Sequence, residues 1–156
     1  MDTTNNNKNT TNNNQNLYNK RMLTNLSILI QDNIFKTSKW FKYDDIYIYN
    51  DVINILSKIS ELYILEDYHY VITFIYFKRL LNIGGIHNKP FFIFLLSLIL
   101  CIKYWSESST VCVYSPIFIK NLFKYEFNIL INTNFSFQIT PNLFNETYNL
   151  IFLKTQ

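Results

Sequence analysis

Residues 90–105, PFFIFLLSLILCIKYW, limit what this chain can fold into more than any other stretch. As a helix the run is apolar on every face for about three turns and becomes polar at Lys103. Such a helix is either a membrane span or the central rod of a helical domain. A span needs roughly 20 apolar residues, and this run offers about a dozen. Lys89 stands just before it, and Lys103, Glu107, Ser106, Ser108 and Ser109 crowd its far end. The stretch therefore reads as a buried central helix. Pro90 opens it, because a first turn does not need the missing N–H. A rod buried on all sides needs other helices around it.

The chain before the rod supplies three. Residues 1–19 are rich in Asn and Thr with almost no apolar side chain, and a segment that buries so little is expected to be a disordered tail. In residues 20–35, Met22, Leu23, Leu26, Leu29, Ile30 and Ile34 recur at helical spacing after Lys20 and Arg21. This amphipathic helix packs on the following domain or on a partner, or else lies on a membrane surface. A polar and aromatic connector with Trp40 and Phe41 follows. Ile46-Tyr47-Ile48 reads as an extended lead-in to a helix over residues 50–63. That helix is capped by Asn50 or Asp51, with Val52, Ile53, Leu56, Ile59 and Ser60 on one face. Residues 66–82 form the next, with Glu66 and Asp67 at its positive end and Val71, Ile72, Phe74, Ile75, Phe77, Leu80 and Leu81 apolar. Gly84-Gly85 ends it. That pair is no phosphate loop, because no strand precedes it and no Lys-Ser/Thr follows.

Beyond the rod, a polar turn and Val111-Cys112-Val113-Tyr114 lead to Ser115-Pro116, an N-cap followed by a first-turn proline. The helix it opens runs to about residue 131 and carries Ile119, Leu122, Phe123 and Leu130 on one face. Glu126 lies on that same face. A carboxylate in an apolar stripe costs free energy unless it is paired, so Glu126 either sits at the edge and reaches water or has a partner. Residues 135–139 alternate as a short extended connector. Thr140-Pro141 then repeats the cap signature before a last amphipathic helix with Leu143, Phe144, Thr147, Tyr148, Ile151 and Phe152.

The sum is an all-α domain of ordinary size with appended helices, and several function classes drop out. The net charge of +3 is too diffuse for a nucleic-acid footprint. His69 and His87 flank the glycine pair without a Cys or carboxylate cluster at metal-ligand spacing, so neither a metal nor a cofactor is expected. No nucleophile elbow or nucleotide loop appears. Cys101 and Cys112 lie in or beside apolar segments and read as buried reduced thiols of an intracellular protein. Asn, Ile, Lys, Tyr and Phe are in excess throughout, a skew of AT-rich coding, so Ile and Tyr say little about strands. What remains is a binding or scaffolding module with no catalytic constellation.

Residues 46–137 resemble a cyclin box, most closely that of the P/U-type cyclins of the phosphate-pathway class. In that family an isoleucine–x–isoleucine lead-in precedes the first helix, as in Ile46-Tyr47-Ile48. The second helix ends in Tyr-aliphatic-Asp-Arg-aliphatic, similar to Tyr76-Phe77-Lys78-Arg79-Leu80. A very apolar third helix ends in Ala-x-Lys-aromatic and then an acidic residue, similar to Cys101-Ile102-Lys103-Tyr104-Trp105-Ser106-Glu107. The fifth carries Leu/Met-Glu-x-x-apolar-Leu, similar to Tyr125-Glu126-Phe127-Asn128-Ile129-Leu130. An aromatic connector like Asn134-Phe135-Ser136-Phe137 closes the box. The family's Arg–Asp pair between the first two helices falls on Asn54 and Lys78, its Gly-Gly before the fifth helix is missing, and the fourth helix is shortened.

The resemblance implies a single five-helix cyclin box over residues 43–138 around the central apolar helix. Residues 20–42 add an N-terminal amphipathic helix and connector, and residues 139–156 a C-terminal helix. It implies a regulatory subunit, not an enzyme, that binds and activates a cyclin-dependent protein kinase in the nucleus or cytoplasm. Lys103 and Glu126 would contact the kinase's regulatory helix, with Tyr104 and Phe127 supplying apolar contact around them. Lys103 would then partner Glu126, beside the plainer role of a lysine bonding carbonyls at a helix end. Two rivals remain. A cyclin-fold transcription-factor module binding nucleic acid would need a basic face, whereas the box is close to neutral. A membrane-associated helical protein would use residues 20–35 and 90–102.

Overall fold

The computed structural model describes residues 6–37, 45–60, 64–83, 90–105, 125–131 and 137–153, and within them the fold is all-α. Helices α1 (Asn6–Thr37), α2 (Asp45–Ser60), α3 (Asp67–Ile83) and α4 (Pro90–Trp105) follow in order. Residues 125–131 form α5. Helix α6 (Pro141–Tyr148) continues into a π-helical turn, Asn149–Leu153. No described helix is long and apolar enough to cross a membrane.

Helix α4 has the bounds its sequence announces, and from residue 93 to residue 102 every side chain but the half-buried Leu95 is buried. The one hydroxyl in this run, Ser97 Oγ, donates to the Ile93 carbonyl one turn back at 2.7 Å and so is not left unsatisfied. The sequence points to one central helix, whereas the structure has two. In α3, all seven residues from 71 to 77 are buried. Thr73 and Tyr76 stand outside the apolar set its sequence offers, but a tyrosine can bury its ring while its hydroxyl finds a partner at the edge. Tyr76 does this, with 2% exposure. The two helices pack on one another most extensively, with Phe77 edge-on to Phe94 at 5.8 Å.

The other helices cover this pair. Met22, Leu26, Ile30 and Ile34 form the buried seam of α1, which packs on α2, α3 and the π-helical turn. Asn25 Nδ2 donates to the Ile151 carbonyl at 3.0 Å and ties α1 to the C-terminal element. Of the readings offered for residues 20–35, packing on the domain is the one observed. The helix itself begins at Asn6, so residues 6–19, expected without regular structure, continue it. Asn and Thr are poor nucleators, yet extending an existing helix avoids the nucleation cost.

Helix α2 also starts earlier than its sequence suggests. Ile46-Tyr47-Ile48 lies inside it and is not an extended lead-in, and Asn50 and Asp51 are interior, not caps. Three residues cannot distinguish a strand period from a helix period, and no Gly or Pro interrupts residues 45–52. Val52, Leu56 and Ile59 are buried as expected.

The N-terminus of α3 closes with a reciprocal cap. The Glu66 N–H donates to His69 Nδ1 at 2.9 Å, and the His69 N–H donates to the Glu66 carbonyl at 3.0 Å. The first bond is one arm of a capping box, with histidine in place of Glu or Gln; the second is a backbone turn bond that closes the same four residues. Burial holds the His69 pKa below its ordinary 6.5 against the opposing pull of Glu66, consistent with a neutral ring accepting at Nδ1. At α6, the Thr140-Pro141 signature holds: Thr140 is extended and its hydroxyl accepts from Leu143 N–H at 3.2 Å. The seam through Thr147 and Ile151 is buried.

Several expectations lie outside the described residues. They are the Trp40-Phe41 connector, Gly84-Gly85, His87, the polar turn with Ser106, Glu107, Ser108 and Ser109, Cys112, the Ser115-Pro116 cap, Ile119, Leu122, Phe123 and the shortened fourth helix. So do Phe135 and Ser136.

Candidate functional site

At its C-terminus α4 changes character. Lys103, Tyr104 and Trp105 leave the core in succession, with Tyr104 43% and Trp105 41% exposed. Lys103 stands in the last turn, where a cation is favoured by the helix dipole. Its Nζ meets Glu126 Oε1 of α5 at 2.5 Å. The Tyr104 hydroxyl donates to the same oxygen at 2.9 Å. The Glu126 side chain is 8% exposed against 37% for Lys103, so the carboxylate is the buried partner and the ammonium the half-exposed one.

This geometry resolves the awkward carboxylate. Glu126 does not reach water at the edge of its stripe; it is buried beside the fully covered Ile129 and is paired. Two donors, one of them charged, offset much of the cost of burying it. Tyr125 anchors α5 against α4 by an edge-on contact with Phe92 at 5.1 Å. Helix α5 therefore presents Glu126 inward while Phe127, the next residue, is 62% exposed. Of the four residues singled out by sequence, Lys103, Tyr104 and Glu126 are in direct contact, and Phe127 stands beside them on the open face.

A second set of residues belongs to this site and was not singled out. Trp105 Nε1 donates to the Tyr76 hydroxyl at 2.6 Å, and that hydroxyl donates to the Phe137 carbonyl at 3.2 Å. Arg79 donates to the Gln138 carbonyl at 2.7 Å. The Phe137 ring lies stacked on Tyr104, centroids 5.0 Å apart, and edge-on to Tyr76 at 5.4 Å. The only sequence signal was the aromatic alternation of the connector. Main-chain acceptors such as the carbonyls of Phe137 and Gln138 carry no signature of residue type.

The positions of the family's Arg–Asp pair, Asn54 and Lys78, are both exposed. Lys78 instead lies over its own helix neighbour Phe74, with Nζ 5.8 Å from the ring centre. Among the described residues no group of three or more His, Cys, Asp or Glu could hold a metal ion. His69 is engaged in the α3 cap. Burial pushes the Cys101 thiol up to about 12, so it is a thiol, not a thiolate nucleophile, at neutral pH. Its Sγ donates to the His69 carbonyl at 3.6 Å. What the described residues present at this surface is an ion pair with one half-exposed member, framed by exposed aromatic faces. Compared with protein-family models, curated proteins and solved structures, the chain matches none.

Proposed function

We propose that this chain is a cyclin-like regulatory subunit without catalytic activity of its own. It binds a cyclin-dependent protein kinase through the surface where α4 ends and α5 runs. The observation that carries this reading is the Lys103–Glu126 pair. The resemblance requires a lysine at the end of the apolar helix and a glutamate from a later helix to share one surface. These two residues, 23 apart in sequence, are in contact. The exposed rings of Tyr104, Trp105 and Phe127 around the pair support it further, since aromatic anchors dominate protein interfaces.

The mechanism is a shift of population. A kinase of this class is active when its mobile helix holds a glutamate against the active-site lysine. A partner that binds that arrangement more tightly than the open one raises its occupancy in proportion to the difference in affinity. Lys103 offers its remaining N–H donors to carbonyls of the kinase, and the aromatic rim covers the helix. The same complex would place the protein in the nucleus or cytoplasm, in division or nutrient response.

The test is purification of the tagged protein from its own cells beside a Lys103→Ala/Glu126→Ala variant. A protein kinase recovered with the wild type and lost from a variant that still melts cooperatively is the expected result. A kinase retained by both moves the interface elsewhere. No kinase in repeated trials removes the cyclin-like reading and returns the nucleic-acid alternative.

A further inference from the structure

We infer that Phe137 and Tyr76 are positioning residues for the α4–α5 surface: they fix how Tyr104 and Trp105 stand on it, and through Tyr104 they hold the Glu126 carboxylate. The consequence for partner binding rests on the reading above; the positioning itself does not. Tyr104 and Trp105 are each about two-fifths exposed, at 43% and 41%. Burial alone leaves rings so open free to change rotamer. Each is nevertheless tethered. The Tyr104 ring lies 17° from parallel on Phe137 while its hydroxyl reaches Glu126. The Trp105 indole N–H is taken by Tyr76, whose own proton goes to Phe137. Phe137 thus serves both aromatics, one by its ring and the other by its carbonyl through Tyr76.

The segment that carries Phe137 is not helical, so its backbone has acceptors to give. Arg79 takes the next carbonyl, at Gln138, and fixes the segment to α3. The buried α3 is in this way connected to the exposed end of α4 by one strap. Side chains ordered before binding need not lose that freedom on binding, which raises affinity without a new contact.

Two variants and their NMR signals decide it. In Tyr76→Phe the indole N–H resonance of Trp105, assigned by its loss in Trp105→Phe, moves upfield and exchanges faster. In Phe137→Leu the Tyr104 ring protons lose their ring-current shift, and Phe137→Tyr restores it. Capture of the kinase by the folded Tyr76→Phe and Phe137→Leu proteins weakens about tenfold, the scale of a lost interface anchor. Should Phe137→Leu not fold, Tyr76→Phe, which removes one oxygen atom, carries the test alone. Unchanged indole and ring signals overturn the inference. Altered signals with undiminished capture uphold the positioning and overturn its consequence for partner binding. If the wild type captures no kinase, the cyclin-like reading falls, and the indole and ring signals alone decide whether these residues hold Tyr104 and Trp105.

Discussion

Between Ile93 and Ile102, α4 has only two polar side-chain atoms, the Ser97 hydroxyl and the Cys101 thiol, and each is bonded to a carbonyl. In the three residues that follow, an ammonium, a phenol and an indole reach partners on α5 and α3. One helix therefore holds the core along most of its length and builds a recognition surface at its end. The first part is held by area and fit, which are indifferent to direction. The second is held by donors and acceptors, which are directional and individually weaker. Changes in the first should cost stability and leave specificity alone, and changes in the second should cost specificity, with a smaller loss of stability.

The largest effect belongs to the core half. Phe94 has no exposure and packs on Phe77. Phe94→Ala should destabilise by about 3–5 kcal/mol, as large-to-small changes in a tight core do. Chemical denaturation measures this. A loss below about 1 kcal/mol would mean that α3 and α4 collapse onto the cavity, and that their packing is looser than the burial of residues 71–77 suggests.

The next effect comes from the polar end. Lys103→Ala leaves the buried Glu126 carboxylate with the Tyr104 hydroxyl alone, and about 2–3 kcal/mol of stability should go, less than for a fully enclosed pair because the shortened side chain lets water approach. Replacing both partners, as in Lys103→Met/Glu126→Leu, removes the buried carboxylate and should be closer to wild type than the single variant. A double-mutant cycle gives the coupling. If the double variant is stable and still captures the kinase, the pair is structural and the contrast between the halves of α4 fails.

Thr140→Ala should cost about 1 kcal/mol, the usual value of a lost N-cap. Thr140 lies three residues after Phe137 and caps α6. Partner capture should not change. A fall in capture would show that the α6 cap and the Phe137 strap act as one unit.

How far these halves can be read from sequence follows the same division. Apolar runs announce themselves, so the bounds of α4 and the seams of α1 and α6 were legible. So was the Thr140-Pro141 cap, whose residue types are specific to the job. Helix α3 was half legible, because Tyr76 and Thr73 look polar in sequence yet are buried. Glu126 was conspicuous as a charge in an apolar stripe, but its partner 23 residues away was identified through family resemblance, not spacing. The start of α2 was misplaced because Ile46-Tyr47-Ile48 fits two periods. The Phe137 strap and the His69 cap went unread. One uses backbone carbonyls, and the other puts histidine where Glu or Gln is usual.

The smallest effect tests whether the buried half is as free of electrostatics as its residues suggest. His69 lies against it, its carbonyl accepting from Cys101 and its ring accepting from Glu66 N–H. Folding holds the imidazole pKa below 6.5, chiefly by burial, with Glu66 opposing. Below 6.5 the unfolded chain therefore binds the proton more readily than the folded one. The stability that this neutral ring contributes is whole above the ordinary pKa and is lost as pH falls through the folded value. Other carboxylates titrate in acid too, so the comparison must isolate the histidine. His69→Gln keeps an acceptor for the Glu66 N–H and does not titrate. Wild type and variant should lose stability in parallel above about pH 7 and diverge below pH 6.5, wild type falling faster. Urea melts at half-unit pH steps read the difference. Parallel curves down to pH 5 would show that protonated His69 finds a partner in the fold as good as the one it loses. The core side of α4 would then tolerate a charge that its apolar residues do not predict.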